Sequence, residues 1–302
     1  MSRIDSNFTQ SSQGSDPNKV YGKRTRSTVD RFIKRQKQEP KITQPEKKKL
    51  KIAVLFDGVG LSRLGLELAG HECTGFELNP VAHHFSTFVG SGNAILSDVR
   101  DVDLSDFDGI WASPPCQSRS SARTQGDATG DYCDDLLEWS LNLKDKYPEK
   151  IVWVENVTIQ GKNGNDWGLV YNAAQFGEEP IQNRNRVIGG RYPLPKTERE
   201  YKKTFKNICP CVTASEYKGC ASDDRRASRF YGRRLTIQEC AYHQGFEIPK
   251  EWLKAFDVYS PSKWNEQIYR GIGNGVPVYM AKAFGDAVGN SDYHVSKTHK
   301  VK

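Results

Sequence analysis

The sequence predicts an α/β fold, a doubly wound and mostly parallel sheet with a small additional lobe late in the chain. Apolar strand-like runs alternate with amphipathic helical runs from Lys51 to Asn156, which is typical of a parallel sheet with helices on both faces. Polar residues follow successive predicted strands, at the edge where open α/β sheets bind ligands. The alternation stops between about Arg191 and Arg233, which marks the lobe.

The first half of the chain supplies the strands and helices of the predicted sheet. The predicted strands are "KIAVLF" (51–56), "ECTGFE" (72–77), the short "NAILSD" (93–98), "FDGIWAS" (107–113) and "KIVWVEN" (150–156). The predicted helices are "LSRLGLELAG" (61–70), "NPVAHHFSTF" (79–88) and "DDLLEWSLNLKDKY" (134–147). Later in the chain, "TIQECAYHQGF" (236–246) is helical in pattern and "QNRNR" (182–186) is extended.

Composition and cysteine content limit the class of protein. The 302 residues are 36% hydrophobic, and no apolar run has the roughly 20 residues that a membrane span needs. The N-terminus has no apolar stretch typical of a secretory signal. Seven cysteines, an odd number, favour free thiols in a reducing compartment. We therefore expect an intracellular protein, in the cytoplasm or nucleoid, or in the nucleus if eukaryotic.

Basic charge is concentrated at the N-terminus. Residues 1–51 hold 14 Lys and Arg against 5 Asp and Glu, whereas the rest of the chain is close to neutral. This polar segment is predicted to be mostly disordered. It is either a tail that attracts nucleic-acid phosphates or a solubilising or localising tail.

Candidate ligand-binding residues stand at the ends of the first three predicted strands. Gly58 and Gly60 form a loop between a strand and a helix, which predicts either a ligand loop or a tight turn. Glu77 ends the second strand, where a carboxylate is placed to accept ribose hydroxyls of a nucleoside cofactor. Asp98 follows next and either holds an adenine amine or caps a helix.

Cys116 directly follows two prolines after the fourth strand. A thiol on such a rigid strand end suits a nucleophile that needs one geometry, although a small buried cysteine is the alternative. Glu155 ends the next strand. Arg184 and Arg186 alternate along "QNRNR" so that both can point to one face, although two surface arginines on an edge strand are the alternative. One arginine would orient Glu155 and the other would bind a carbonyl oxygen.

A thiolate, a glutamate that protonates a ring nitrogen and an arginine for a carbonyl oxygen suit one reaction. Thiolate addition at carbon-6 of a pyrimidine makes carbon-5 nucleophilic enough to take a methyl group from a sulfonium cofactor. A cytosine inside a duplex has to be flipped out to reach such a site.

These motifs resemble those of the DNA (cytosine-5)-methyltransferases, in family order from about Lys51 to Val288. The matching stretches are "LFDGVGLSRLGLELAG", "GFELNP", "SDVRDVD", "PPCQ", "WVENV", "QNRNRVI", "RRLTIQECAYHQGF" and "GIGNGVPVYMAKAFG". The resemblance implies a Rossmann-like fold, S-adenosylmethionine as cofactor, double-stranded DNA as partner and base flipping. We expect a monomer that does not associate with membranes.

The resemblance also implies roles for individual residues. The catalytic residues would be Cys116, Glu155, Arg184 and Arg186. The cofactor-binding residues would be Phe56, Gly58, Gly60, Glu77, Asp98, Pro115, Asn274 and Val276. The substrate-binding residues would be Gln117, Arg119, Gln182 and Gln244. The spacing of Cys209, Cys211 and Cys220 is a poor match to structural zinc sites, so we expect no metal.

The sequence departs from the family in places. Asp57 replaces a small residue, and His243 stands where a leucine usually precedes "QGF". Arg119 makes the loop after Cys116 unusually basic, which favours either a phosphate contact or a carboxylated relative of S-adenosylmethionine as donor.

The target-recognition region is short, because "CPCVTASEYKGC" resembles the stretch that normally follows it. Only about 18 residues, 191–208, remain, so we expect a short or degenerate target. The predicted division is a basic tail (1–48), a catalytic domain (49–190), a target-recognition region (191–232), a return to the catalytic domain (233–290) and a tail (291–302).

Three other functions fit parts of the sequence. A thymidylate-synthase-type enzyme also places a cysteine after prolines, but it has no need of the glycine loop, Glu77 or "ENV". A tRNA cytosine-5 methyltransferase stays open because the recognition region is small. A catalytically silent DNA-binding regulator would show decay at Cys116, Glu155 or the arginines, and these are intact.

Overall fold

The computed structural model describes residues 48–116, 130–158, 166–177, 181–218, 227–254 and 259–289. Both predicted tails, except for Lys48, lie outside this part of the chain. The described residues all fall within one compact unit, Pro45–Lys302. The division of that unit into catalytic and recognition regions stays a prediction.

The sheet contains seven strands in the order β3-β2-β1-β4-β5-β8-β6. These strands are β1 (Lys51–Leu55), β2 (Glu72–Glu77), β3 (Ala94–Leu96), β4 (Gly109–Ala112), β5 (Ile151–Val157), β6 (Gly168–Asn172) and β8 (Asn185–Arg191). The first five are parallel to one another, whereas β8 runs antiparallel to both of its neighbours. The predicted doubly wound, mostly parallel sheet is confirmed.

Seven α-helices accompany these strands in the described part of the chain. They are α1 (Leu61–Leu68), α2 (Pro80–Ser86), α3 (Gly130–Lys146), α4 (Ala227–Tyr231), α5 (Ile237–Gln244), α6 (Pro261–Asn274) and α7 (Val278–Gly289). Local sequence explains where α5 begins: Thr236 and Glu239 form a capping box, each side chain bonded to the other's backbone N–H. The sequence pattern did not predict β6, α4, α6 or α7.

Side chains alternate between the two covered faces of the sheet. Ile52 and Val54 pack into one apolar cluster with Met280 and Phe284 of α7. Ala53 and Leu55 point the opposite way, into a second cluster that includes Leu137 and Leu143 of α3. Strands buried on both faces read as continuous apolar runs, which is why "KIAVLF" carries no polar alternation.

The "QNRNR" stretch contains one short strand and the start of a second, rather than a single strand. β7 (Gln182–Asn183) pairs with β9 (Cys209–Pro210) in a separate two-stranded sheet, and β8 begins at Asn185. Arg184 lies between them, where its N–H donates to Asn172 Oδ1 at 3.2 Å. The prediction of one continuous strand was therefore wrong at Arg184.

No helix in the described part of the chain combines the length and apolar character needed to span a membrane.

Candidate active site

We call the edge formed by the carboxyl ends of β1, β2, β4 and β5, with the residues directly after them, the rim. The loop after β1 has left-handed backbone at Phe56, Gly58 and Gly60, with φ of 58°, 58° and 86°. Left-handed backbone is costly for a residue with a side chain, so Phe56 is a locally strained position typical of functional loops. Its ring packs edge-to-face on Trp139 of α3, with centroids 6.4 Å apart.

Glu77 is joined to this loop by its carboxylate. Oε2 accepts a hydrogen bond from Gly58 N–H at 2.8 Å, and Oε1 accepts one from Asn79 N–H at 2.7 Å. Burial raises the pKa of Glu77 above its ordinary value, and these hydrogen bonds oppose the shift. The structure therefore brings together the two cofactor-binding elements that the sequence predicted, the glycine loop and Glu77.

Asp98 caps a short 3-10 helix, Val99–Asp101. Its carboxylate also accepts hydrogen bonds from Arg100 Nε at 3.0 Å and Nη2 at 2.5 Å. The bonds to Arg100 lower the pKa of Asp98 to about 2. The capping role considered from the sequence is thus present, while a contact with adenine stays a prediction.

The loop that carries Cys116 is fixed to the neighbouring strand. Asn156 of β5 is buried, and its Nδ2 donates to the carbonyl of Pro114 at 3.2 Å. The register aligns Ala112 with Val154, so the chain leading to Pro115 and Cys116 runs beside the end of β5. Pro115 and Cys116 are both half-buried. Gln117 and Arg119 lie outside the described residues.

Glu155 and Arg186 form a largely buried ion pair at the end of β5. Glu155 Oε1 lies 2.8 Å from Arg186 Nε. The antiparallel pairing of β5 with β8 places Arg186 opposite Val157, beside the end of the strand. The expectation that one arginine orients Glu155 agrees with this geometry.

Arg184 lies elsewhere, although it is only two residues away. Its side chain is fully buried, and Nη1 donates to the Val212 carbonyl at 2.7 Å. Nη2 donates to the carbonyls of Gly273 at 2.8 Å and Gly275 at 3.0 Å. Both terminal nitrogens are therefore bound to backbone carbonyls, and the prediction that the two arginines point to one face was wrong. Arg184 instead secures the segment between α6 and α7.

Gln182 and Gln244 extend this buried arrangement. Both are fully buried; Gln182 Nε2 donates to His243 O at 2.7 Å and Gln244 Oε1 at 3.0 Å. Gln182 Oε1 accepts from Val212 N–H at 3.0 Å. Their amides form hydrogen bonds inside the protein, and a contact of either residue with the substrate stays a prediction. We call Gln182, Arg184 and Gln244, with the carbonyls that they bind, the buried polar layer.

The end of α6 and the segment that joins it to α7 pack against the glycine loop and the start of α1. A Cβ added to Gly275 would lie 2.6 Å from Leu61 Cδ1, and one added to Gly271 would lie 2.4 Å from Val59 Cγ1. Asn274 is exposed at the end of α6, and Val276 is buried among apolar residues. The predicted cofactor contacts of both residues stay predictions, on a segment that lies beside the loop.

Sequence reasoning missed Arg63 and Ser86, which bind Asp57 beneath the loop. The available signal was Asp57 itself, because a carboxylate in a buried glycine loop needs a partner. No group of three metal-binding side chains occurs in the part of the chain that the structure describes.

Comparison with known proteins places the chain in a family. The profile of the C-5 cytosine-specific DNA methylases matches residues 50–167 and 159–290, and the chain belongs to this family. It is thus a member of a family of cytosine-5 methyltransferases that act on nucleic acid and generally use S-adenosylmethionine.

Several solved structures are similar to this chain at low sequence identity. The Entamoeba histolytica methyltransferase EhMeth matches with a TM-score of 0.51 and 14% identity, over 80% of this chain and 98% of that one. A putative DNA modification methyltransferase from an Escherichia coli prophage matches with a TM-score of 0.48 and 16% identity, over 80% and 99% of the two chains. The Dnmt2 methyltransferase of S. pombe gives 0.45 and 16%, over 78% and 96%. Among curated proteins, none matches the sequence.

Proposed function

We propose that this protein methylates carbon-5 of cytosine in DNA, with S-adenosylmethionine as the methyl donor. The observation that carries the proposal is the Glu155–Arg186 ion pair at 2.8 Å, on the strand beside the loop that bears Cys116. Membership of the C-5 cytosine-specific DNA methylases supports the reaction class and favours DNA.

Cys116 is proposed as the nucleophile that adds to carbon-6 of a flipped-out cytosine. The new Sγ–C6 bond displaces the 5,6 double-bond electrons into the ring toward N3, and N3 takes a proton that Glu155, a carboxylate in its pair with Arg186, has first taken up from solvent. Carbon-5 is then an enamine carbon, nucleophilic enough to be alkylated. Loss of the carbon-5 proton to solvent and expulsion of the thiolate afterwards re-form the 5,6 double bond. N3 returns its proton to Glu155, which restores the aromatic ring.

Arg186 holds the acid in place for this step. Its Nε contact fixes the carboxyl group of Glu155 in one orientation, and the Asn185 carbonyl accepts from Nη1 at 2.7 Å. A charged hydrogen bond of this length is strong in a buried setting. Because a general acid acts only when aligned with its target atom, Arg186 is a positioning residue for Glu155.

The rim fits the nucleoside part of S-adenosylmethionine, which when bound supplies an electrophilic methyl group. A Cβ added at Gly58 would meet, among the described residues, only the Phe56 carbonyl oxygen, at 4.0 Å, so space lies open over the loop. The Glu77 oxygens keep acceptor positions for ribose hydroxyls beside their two backbone bonds. Arg100 is half-exposed, so its release from Asp98 to admit an adenine amine would cost little.

Residues 201–208, which we call the basic loop, offer a contact for the nucleic-acid backbone. Their exposed side chains include Tyr201, Lys202, Lys203 and Lys206. Buried or half-buried asparagines hold the loop from below: Asn172 Nδ2 donates to Lys202 O at 3.0 Å, and Asn183 Nδ2 to Phe205 O at 2.9 Å. A fixed loop with several lysines and an exposed tyrosine suits phosphate contacts and stacking.

The test is a methyl-transfer assay with S-adenosylmethionine carrying an isotopically labelled methyl group. Wild type and Cys116→Ser are incubated separately with unmodified DNA and with tRNA, and the digested nucleosides are weighed by mass spectrometry. Labelled 5-methyldeoxycytidine from the wild type alone is the expected result. Labelled 5-methylcytidine from tRNA alone would replace DNA by RNA as substrate, and no labelled product from either would overturn the proposal.

A further inference from the structure

A buried ionic network lies directly beneath the glycine loop. Asp57 Oδ2 and Arg63 Nε are 3.1 Å apart, and both side chains have no solvent exposure. Ser86 Oγ donates a second hydrogen bond to Asp57 Oδ2. Burial raises the pKa of Asp57 above its ordinary value, while Arg63 and Ser86 oppose the shift.

Arg63 ties α1 to the end of α2. Its Nη2 donates to the carbonyl of Ser86 at 2.7 Å, and Nη1 to the carbonyl of Val89 at 3.1 Å. Nη1 also lies 3.2 Å from Glu67 one turn further along α1. A single guanidinium therefore joins the start of α1, the segment after α2 and the middle of the glycine loop.

Asp57 is the residue of the loop that this network holds. Its N–H donates to Phe76 O at 3.0 Å and its carbonyl accepts from Gly60 N–H at 2.9 Å, so the backbone is fixed on both sides. The neighbouring glycines leave room for the pair. A Cβ at Gly75 would lie 2.3 Å from the Asp57 carboxylate, and one at Gly60 would lie 2.8 Å from Arg63 Nη2.

The network continues to Glu77, whose carboxylate is proposed to bind the ribose of the cofactor. Gly58 directly follows Asp57, and its N–H binds Glu77 Oε2 at 2.8 Å. Phe76, which accepts the Asp57 N–H, directly precedes Glu77. The position of Asp57 thus sets both the donor that Glu77 uses and the backbone from which Glu77 projects.

We propose that Asp57 and Arg63 are positioning residues for cofactor binding, which hold the glycine loop so that Glu77 meets the ribose of S-adenosylmethionine. This inference rests on the proposed function. A purely stabilising role is a poor explanation, because replacing a buried ion pair with apolar residues of similar volume is often neutral for stability. The pair therefore gives the loop its geometry.

The experiment measures S-adenosylmethionine binding by calorimetry, with thermal unfolding of each variant. Asp57→Ser/Arg63→Met removes both charges, and Asp57→Asn keeps the shape if the double variant does not fold. Leu143→Ala, a truncation in the buried face of α3, is the control for loss of stability alone. We expect about tenfold weaker binding for both Asp57 variants, wild-type affinity for the control, and a raised KM for the cofactor with kcat changed less than about threefold.

A double-mutant cycle with Glu77→Gln separates positioning from general damage. If Asp57 acts through Glu77, Asp57→Asn weakens binding less than about threefold in the Glu77→Gln background. Wild-type affinity in Asp57→Ser/Arg63→Met, or full additivity of Asp57→Asn and Glu77→Gln in the cycle, would overturn this inference and leave the proposed function standing. A wild-type protein that does not bind S-adenosylmethionine would overturn the proposed cofactor site and this inference with it.

Discussion

Arg184 and Arg186 stand two residues apart in one motif and belong to different parts of the molecule. Arg186 reaches the rim and pairs with Glu155 at 2.8 Å. Arg184 lies in the buried polar layer, where both of its terminal nitrogens donate hydrogen bonds to backbone carbonyls. The comparison teaches that residue type and spacing do not separate a group aligned for chemistry from one that holds the fold, whereas the partners of its donor atoms do.

The largest effect is expected at the rim, from Glu155→Gln. The amide keeps the size of the side chain but cannot deliver the proton, so we expect methyl transfer to fall by about 10²–10⁴-fold. Single-turnover rates measure this directly. Glu266→Gln, which makes the same change in the exposed Glu266–Arg270 pair, is the matched control and should stay within about threefold of wild type. Equal losses in the two variants would remove the special role of Glu155.

The second prediction compares how substitutions at Arg184 and Arg186 affect stability and reaction rate. Arg184→Met leaves the buried carbonyls of Val212 and Gly273 without their Arg184 donor, so we expect the free energy of unfolding to fall by about 3 kcal/mol, with near-normal rates in the protein that remains folded. Arg186→Lys keeps a positive charge beside the largely buried Glu155 but loses the Nε contact that orients it, so it should do the reverse and lose rate chiefly. Urea unfolding and single-turnover assays on the same samples distinguish the two. The comparison fails if both variants lose the same property.

A smaller effect is the pH dependence of stability expected from His243, which contacts the buried polar layer. Its carbonyl accepts from Gln182, its Nε2 lies 2.7 Å from Tyr231 Oη, and burial lowers its pKa to about 4. Between the ordinary value near 6.5 and about 4, the unfolded chain takes up a proton that the folded chain refuses. Stability should therefore fall by about 2–3 kcal/mol as pH drops through this window.

The matched variant is His243→Leu, which carries the residue usual in the family. It should flatten the fall in unfolding free energy between pH 7 and pH 4.5, whatever its own baseline. An unchanged slope would assign the pH dependence to other groups.

The smallest effect is expected in the basic loop. Lys203→Ala removes one exposed cation, so we expect nucleic-acid affinity to fall by about three- to tenfold at low salt and the slope of log affinity against log salt to decrease by about 0.9. Lys282→Ala, in the partly exposed Lys282–Asp286 pair of α7, is the control. Equal slopes for wild type and Lys203→Ala, measured by fluorescence anisotropy, would exclude this loop from phosphate contact.

Local patterns were enough to predict the five parallel strands and the rim at their ends. The apolar runs predict buried parallel strands, and because such strands end at one edge, the glycine loop and Glu77 are expected to lie together, as the 2.8 Å bond between them shows. For the same reason Cys116, after β4, and Glu155, near the end of the adjacent β5, are expected at one edge.

The rest depended on contacts between residues far apart in the chain. Alternation predicts a shared face only along an unbroken strand, and the strand is interrupted at Arg184. Gln182 and Gln244 bind each other across 62 residues, so neither sequence neighbourhood contains the other's partner. Arg63 is paired with Asp57 only once α1 folds back beneath the loop.

Trapping with 5-fluorocytosine tests the central claim most directly. Fluorine at carbon-5 cannot leave as a cation, so an enzyme that adds a thiolate at carbon-6 and alkylates carbon-5 stays covalently attached. With S-adenosylmethionine and DNA containing 5-fluorocytosine, we predict a denaturant-resistant adduct with the summed mass of protein, oligonucleotide and methyl group. It should be absent in Cys116→Ser and strongly reduced in Glu155→Gln. An adduct that persists without Cys116, or none with either DNA or RNA, would contradict the account.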